Sequence, residues 1–294
     1  MITVTEAFRK FRTRLELTDR EQADASRRQK EIRELLAEHF AREEDFLSGS
    51  YARYTKTKPL KDVDIVYVLH DDERGEYRTG HLPGKVLSKV EAILVDEYGR
   101  DNVRVQRRSV SVQFPATGDD ERVVSFDVVP AFTRGDHYEI PDTSTTKGWT
   151  ETNPRTHAEK ATAANEAYGG EWKGMVRMLK RWNQEHDKPI KPSFLIEVMA
   201  LQILRPPFNG NYPYEFMGFF ATAKTRILED WADPAGLGPP VSDSMTPAQR
   251  RQAADVLAAA ANAVRDAIQL GKAGREGDAL RAYRALFGDL FPLS

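Results

Sequence analysis

Cysteine is absent from the chain. That excludes a disulfide framework and any thiolate metal site, and it suits a reducing cytoplasm. No apolar run approaches the ~20 residues that span a bilayer, and no apolar signal segment opens the sequence, so neither membrane insertion nor export is expected. An excess of positive charge is missing too: 43 Lys and Arg stand against 45 Asp and Glu, a formal net charge of −2. A global polycation for nucleic acid is thereby excluded, and any polyphosphate must be met by a local basic patch. Internal repeats and low-complexity tracts are also lacking. What remains is an ordinary globular composition, 40% hydrophobic and 30% charged over 294 residues, enough for one large domain or two packed lobes.

The informative stretch runs from Phe46 to Leu69. Phe46-Leu47-Ser48 reads as a strand end that breaks at Gly49-Ser50. A basic loop with Lys56, Lys58 and Lys61 leads into Asp62-Val63-Asp64-Ile65-Val66-Tyr67-Val68-Leu69, an apolar strand opening with two acids. Alternate residues of a strand share a face, so Asp62 and Asp64 point the same way. Neighbouring carboxylates repel unless a cation lies between them, and hard divalent cations suit oxygen ligands. Gly49 permits close backbone approach to a ligand. Ser50 offers a hydroxyl and an amide at an expected helix N-terminus, where phosphate is favoured. Phosphate at one end and metal at the other is a layout for phosphoryl or nucleotidyl transfer. A third acid, Asp127, is the only charge in Val123-Val124-Ser125-Phe126-Asp127-Val128-Val129-Pro130, a second strand closed by proline. The plain alternative for Asp127 is a turn cap or a partner for an arginine; Gly49-Ser50 and Asp62-x-Asp64 upstream favour a metal triad.

Gly49-Ser50, Asp62-x-Asp64 and a later lone strand Asp127 together resemble the DNA polymerase β nucleotidyltransferase superfamily. Further segments resemble one branch of it, the bacterial CD-NTases, relatives of cyclic GMP-AMP synthase and oligoadenylate synthetase. These are Asp127-Val128-Val129-Pro130-Ala131-Phe132, Thr152-Asn153-Pro154, Met178-Leu179-Lys180-Arg181-Trp182-Asn183 and Lys191-Pro192-Ser193-Phe194-Leu195-Ile196-Glu197. The resemblance spans roughly residues 45 to 200. It implies an α+β fold: a polymerase β-like core of mixed sheet and helices, a C-terminal helical bundle, and a long N-terminal helix as brace. It also implies that Asp62, Asp64 and Asp127 bind two Mg²⁺ ions, with Mn²⁺ as a substitute. Lys180 matches the family's triphosphate-contacting lysine, with a surface lysine as the plain alternative. Ser193 and Phe194 match a Ser-Tyr pair that contacts phosphate and stacks on the base; Phe keeps the stacking and loses the phenol hydrogen bond. Asn165 lies where the family places a base-facing polar residue, Asn going with pyrimidines; an Asn here also reads as an ordinary helix cap.

The remaining chain is read by pattern. Residues 3 to 40 are expected to be helical, with Thr18-Asp19-Arg20-Glu21 as a capping box that starts a second helix. Val86, Val90, Ile93, Leu94 and Tyr98 predict a helix over residues 83 to 98, and residues 103 to 114 alternate as one strand. Gly118-Asp119-Asp120 predicts a turn, and residues 134 to 152 a loop over the site. Helices are expected through the second half, including one opened by Thr246-Pro247-Ala248-Gln249. The division falls at residues 1–153 for the catalytic core with the N-terminal helices, and 154–294 for the helical lobe.

The function these features imply is template-independent joining of nucleoside triphosphates, ATP with UTP or GTP, into a cyclic di- or oligonucleotide signal, of the kind used in bacterial anti-phage defence. The protein is expected to work as a cytoplasmic monomer, without membrane or template nucleic acid, and a separate effector protein would respond to its product. Two other readings stand beside it: transfer of a nucleotide to an RNA 3′ end or a small molecule, and a non-catalytic nucleotide sensor.

Overall fold

A computed structural model of the protein describes residues 2–58, 60–80, 82–114 and 125–294. The expected turn at Gly118-Asp119-Asp120 and the Val123-Val124 start of the Asp127 strand lie outside the described residues. The chain divides into two units, Leu17–Ala158, and Met1–Glu16 with Glu159–Ser294.

The first unit is built on a mixed sheet. In chain order it holds α2 (Asp19–Ala37), β1 (Arg42–Ser48), the one-turn α3 (Gly49–Ala52), β2 (Asp62–Leu69), the short α4 (Arg74–Tyr77), α5 (Gly84–Tyr98), β3 (Val103–Val105), β4 (Val110–Gln113), β5 (Ser125–Arg134), β6 (His137–Pro141) and β7 (Trp149–Thr152). The strand order is β1-β2-β5-β4-β3, with β6 paired to β5 and β7 to β6. Only β2 and β5 run parallel among these pairs. α2 opens on the expected capping box: the Thr18 hydroxyl accepts from the Glu21 amide at 3.2 Å, and Glu21 accepts from the Thr18 amide at 2.8 Å.

Alternation decides which face is core. Val63, Ile65, Tyr67 and Leu69 of β2, with Phe126 and Val128 of β5, are buried against Ile32 and Leu36 of α2 and Val86, Val90 and Leu94 of α5. The opposite face carries Val66 and Val68 packed with Ala131, Tyr138 and Ile140. At the start of β2 and β5 that second face bears Asp62, Asp64 and Asp127 instead of apolar residues.

Two expectations are corrected. Residues 103 to 114 form a hairpin rather than one strand, turning at Arg107-Arg108 and closed by the Gln106 amide on the Ser109 carbonyl at 2.8 Å. The stretch 134–152 is a meander, because β6 and β7 extend the sheet from β5.

The second unit is helical: α1 (Val4–Arg14), α6 (Pro154–Ala167, entering from the first unit), α7 (Trp172–Glu185), α8 (Ser193–Ile203), α9 (Tyr212–Arg226), α10 (Pro247–Lys272) and α11 (Glu276–Phe287). α1 belongs here, although the sequence division at residue 153 groups it with the sheet. Its apolar stripe is the reason: Phe8 lies 5.5 Å from both Tyr212 and Phe216 and 5.0 Å from Tyr283, centroid to centroid, and Phe11 lies 5.4 Å from Phe287. α10 starts on the expected Thr246–Gln249 capping box with Pro247 in its first turn.

Candidate active site

The three carboxylates are brought together by strand register. Parallel pairing sets Asp64 directly beside Asp127 and Asp62 beside Ser125. Asp62 and Asp64 are two residues apart on one strand and so share a face. On the other side of β2, Ser48 pairs with Asp64, so Gly49, the next residue, arrives against the Asp64 carboxylate. Gly49 adopts φ +64°, and a methyl group built there would lie 1.7 Å from Asp64 Oδ2. Glycine is required twice, for the left-handed backbone and for the space. Ser50 follows in the single turn of α3, and its carbonyl accepts from the Thr55 and Lys56 amides at 3.0 and 3.1 Å, which folds the basic loop back onto the site.

The electrostatics are those of crowded acids. The Asp64 carboxyl is pushed up to about 6, first by burial, then by the charges of Asp62 and Asp127, against the pull of Lys56 and Arg53. Asp127 is also raised, chiefly by burial and by Asp62, with the Ser111 hydroxyl and Lys56 opposing. Lys56 supplies a positive charge: its Nζ lies 2.5 Å from Asp62 Oδ1. Gln106 Nε2 donates to Asp127 Oδ1 at 3.3 Å.

This donor set suits a divalent cation. It is all oxygen, and it holds a raised carboxyl whose neighbours are negative, a tension that a hard cation relieves. Among the described residues no three acids or histidines already stand at metal-ligand spacing.

The other residues singled out by sequence lie in the helical unit. Lys180 of α7 is not on the surface: it is buried, with Nζ 2.7 Å from Glu197 Oε1 of α8, itself buried. Ser193 is exposed at the first position of α8, and Phe194 packs in part against the helical core. Asn165 caps α7, its Oδ1 accepting from the Lys173 amide at 3.0 Å.

Sequence reasoning passed over Gln106 and Asp142. Asp142 is wholly buried and accepts from Arg107 Nε at 2.6 Å, from Arg108 at 2.7 Å and from the Ser144 hydroxyl at 2.7 Å. A signal for the hairpin was present. Val103 and Val105 fall on odd numbers and Val110 and Val112 on even ones, a break in period two at Gln106–Ser109.

The chain is similar to several known proteins. Residues 1–165 match the family described as the Second Messenger Oligonucleotide or Dinucleotide Synthetase domain. A probable cyclic nucleotide synthase of Bacillus cereus is 26% identical over 272 residues, 83% of this chain and 81% of that protein. A cyclic AMP-AMP-AMP synthase of Acinetobacter is 28% identical over 272 residues, 85% of this chain and 73% of that protein. The solved structure of Escherichia coli MS115-1 CdnC with ATP has the same fold, with a TM-score of 0.74 at 19% identity over 99% of each chain.

Proposed function

The chain belongs to the Second Messenger Oligonucleotide or Dinucleotide Synthetase family, and we propose that it joins nucleoside triphosphates, ATP among them, into a cyclic oligonucleotide on the carboxylates Asp62, Asp64 and Asp127. Membership bears out the resemblance to CD-NTases read from the sequence, and with it the enzyme class, a nucleotidyltransferase that makes second messengers. The observation that carries the assignment of residues is the parallel register. It sets Asp64 beside Asp127, with Asp62 on the same face and Gly49 against Asp64. ATP is named because the Acinetobacter relative is a cyclic AMP-AMP-AMP synthase.

In this reading Asp62, Asp64 and Asp127 would hold two divalent cations beside the triphosphate. Bound Mg²⁺ or Mn²⁺ supplies Lewis acidity at the triphosphate and at the attacking ribose hydroxyl. Asp127 would take the hydroxyl proton as the ribose oxygen bonds to the α-phosphorus and pyrophosphate leaves. Gly49 and Ser50 let the backbone lie close to phosphate. No covalent enzyme intermediate is needed, because the charge of in-line transfer is met electrostatically. The same proposal has the protein act in the cytoplasm as a monomer, with its product read by a separate effector. Ser193 and Phe194 are proposed as nucleotide contacts, and Lys180 as a residue that acts on nucleotide through its buried pair with Glu197.

The test is incubation of the purified protein with single and paired nucleoside triphosphates in Mg²⁺, followed by phosphatase treatment. A phosphatase-resistant oligonucleotide is expected. A product whose termini are phosphatase-sensitive would mean linear transfer to an acceptor, and nucleotide binding without turnover would mean a sensor.

A further inference from the structure

The β3–β4 hairpin has a feature that its length does not require. Its turn, Gln106 to Ser109, is held from both sides. On the outer side, Arg107 makes two hydrogen bonds to the buried Asp142 carboxylate, at 2.6 and 2.7 Å, and Arg108 makes two more, at 3.0 and 2.7 Å. The Thr143 amide donates to the Arg107 carbonyl at 3.1 Å. Such charge-assisted, forked bonds fix a backbone segment in position as well as bind it. On the inner side, Gln106 Nε2 donates to Asp127 Oδ1 at 3.3 Å, while its Oε1 accepts from the Ser109 hydroxyl, also at 3.3 Å. The carboxylate, which only accepts, fixes the sense of the amide, and the Ser109 hydroxyl is compatible with it. A flipped Gln106 would turn its oxygen on the carboxylate and its NH₂ on the hydroxyl, losing the bond to Asp127.

The terminal torsion of an aspartate is broad, so strand register alone places the Asp127 carboxyl group without fixing its plane. Ligating carboxylates need that plane held to about 10–20°. Gln106 holds Oδ1, and the Ser111 hydroxyl from the neighbouring strand bonds the same carboxyl group.

We propose that Gln106 is a positioning residue for Asp127, with the Asp142–Arg107–Arg108 clamp holding the turn from which it reaches. This rests on the reading of Asp127 as a cation ligand. Gln106 is exposed at the hairpin tip and has no part in the hydrophobic clusters, so its removal leaves the fold standing. Its effect appears where the carboxylate works.

The experiment uses the full chain and Mn²⁺ itself as probe, titrated by electron paramagnetic resonance, alongside initial rates and melting in chelator. Gln106→Ala should weaken Mn²⁺ binding and lower kcat by about tenfold each, the usual effect of removing a partner of a ligating group. KM for nucleotide should stay within about twofold, since no substrate contact is lost. Melting temperature in chelator should not move. Ser109→Ala should act in the same direction with a smaller effect. Wild-type Mn²⁺ affinity and kcat in Gln106→Ala, while Asp127→Asn loses both, would overturn the positioning role and leave the site standing. A fall in melting temperature with unchanged Mn²⁺ affinity would make Gln106 a structural contact, which also overturns it. If Asp127→Asn itself keeps Mn²⁺ affinity and synthesis, the reading of the site fails instead.

Discussion

Replacing Gly49 with alanine tests the geometry of the site directly. The added methyl would sit 1.7 Å from Asp64 Oδ2 and 2.6 Å from its Cγ. Carbon contacts are comfortable near 3.5 Å, so the carboxylate must retreat by roughly 1.5 Å or α3 must shift as a body. The backbone adds its own term, because φ +64° in an alanine costs about 1–2 kcal/mol. Misplacing a reacting group by about 1 Å can remove a hundredfold of rate. The expected loss in kcat is therefore at least about a hundredfold, or roughly 2.7 kcal/mol of barrier. Stability should fall by only about 1–3 kcal/mol, the range of a single strained residue. The assay is the initial rate of phosphatase-resistant product at saturating nucleotide, with thermal melting and circular dichroism in chelator to show that the variant is folded. A folded Gly49→Ala enzyme that keeps more than about a tenth of the wild-type rate would refute the close approach of Gly49 to a working Asp64.

Asp64→Asn should abolish synthesis while leaving the metal-free protein as stable as wild type or more so, because one of three crowded like charges is removed; a pronounced drop in melting temperature in chelator would contradict it. Lys180→Ala removes the ammonium from the buried Glu197 carboxylate and should destabilise the fold by about 3–5 kcal/mol, visible in denaturant melts, whereas a shift confined to nucleotide KM would mean the ion pair is not formed. Asp142 is held well below the ordinary carboxylate range: burial raises it, and bonds from Arg107, Ser144 and Arg108 outweigh that. A depressed carboxyl contributes stability above its unfolded pKa and loses it as pH falls through the folded value, so the advantage of wild type over Asp142→Asn should be full above about pH 4 and shrink progressively below it. An advantage unchanged by acid would exclude the carboxylate clamp. Chelation should stop synthesis, and either Mg²⁺ or Mn²⁺ should restore it, which activity assays with buffered metal will show.

The carboxylates and Gly49 were legible because each depends on local pattern. Acids two apart at the head of an apolar strand, and a lone acid in a second one, have few structural explanations. The helices were legible for the same reason, through capping boxes at Thr18 and Thr246 and the stripe Val86, Val90, Ile93 and Leu94. What escaped depends on partners distant in sequence. Arg107-Arg108 lacks the glycine or asparagine that usually marks a hairpin, and the turn is held instead by Asp142. β6 and β7 lie in a polar segment whose strands are made by pairing onto β5. The place of Lys180 is decided by Glu197, on another helix. The bond between Asn165 and the Lys173 amide likewise depends on how two helices meet.

The parallel pairing of β2 with β5 also dates the site within folding. The β3–β4, β5–β6 and β6–β7 hairpins close over a few residues each. Asp64 meets Asp127 only when a loop of roughly sixty residues closes, and closure entropy grows with loop length. A slip of one residue in that pairing would turn Asp127 to the other face and bring an apolar neighbour in its place. On the proposed reading of the site, a chain whose β2 and β5 are unpaired or out of register lacks Asp127 beside Asp64, and such a half-folded molecule should neither hold the cations nor emit a signal.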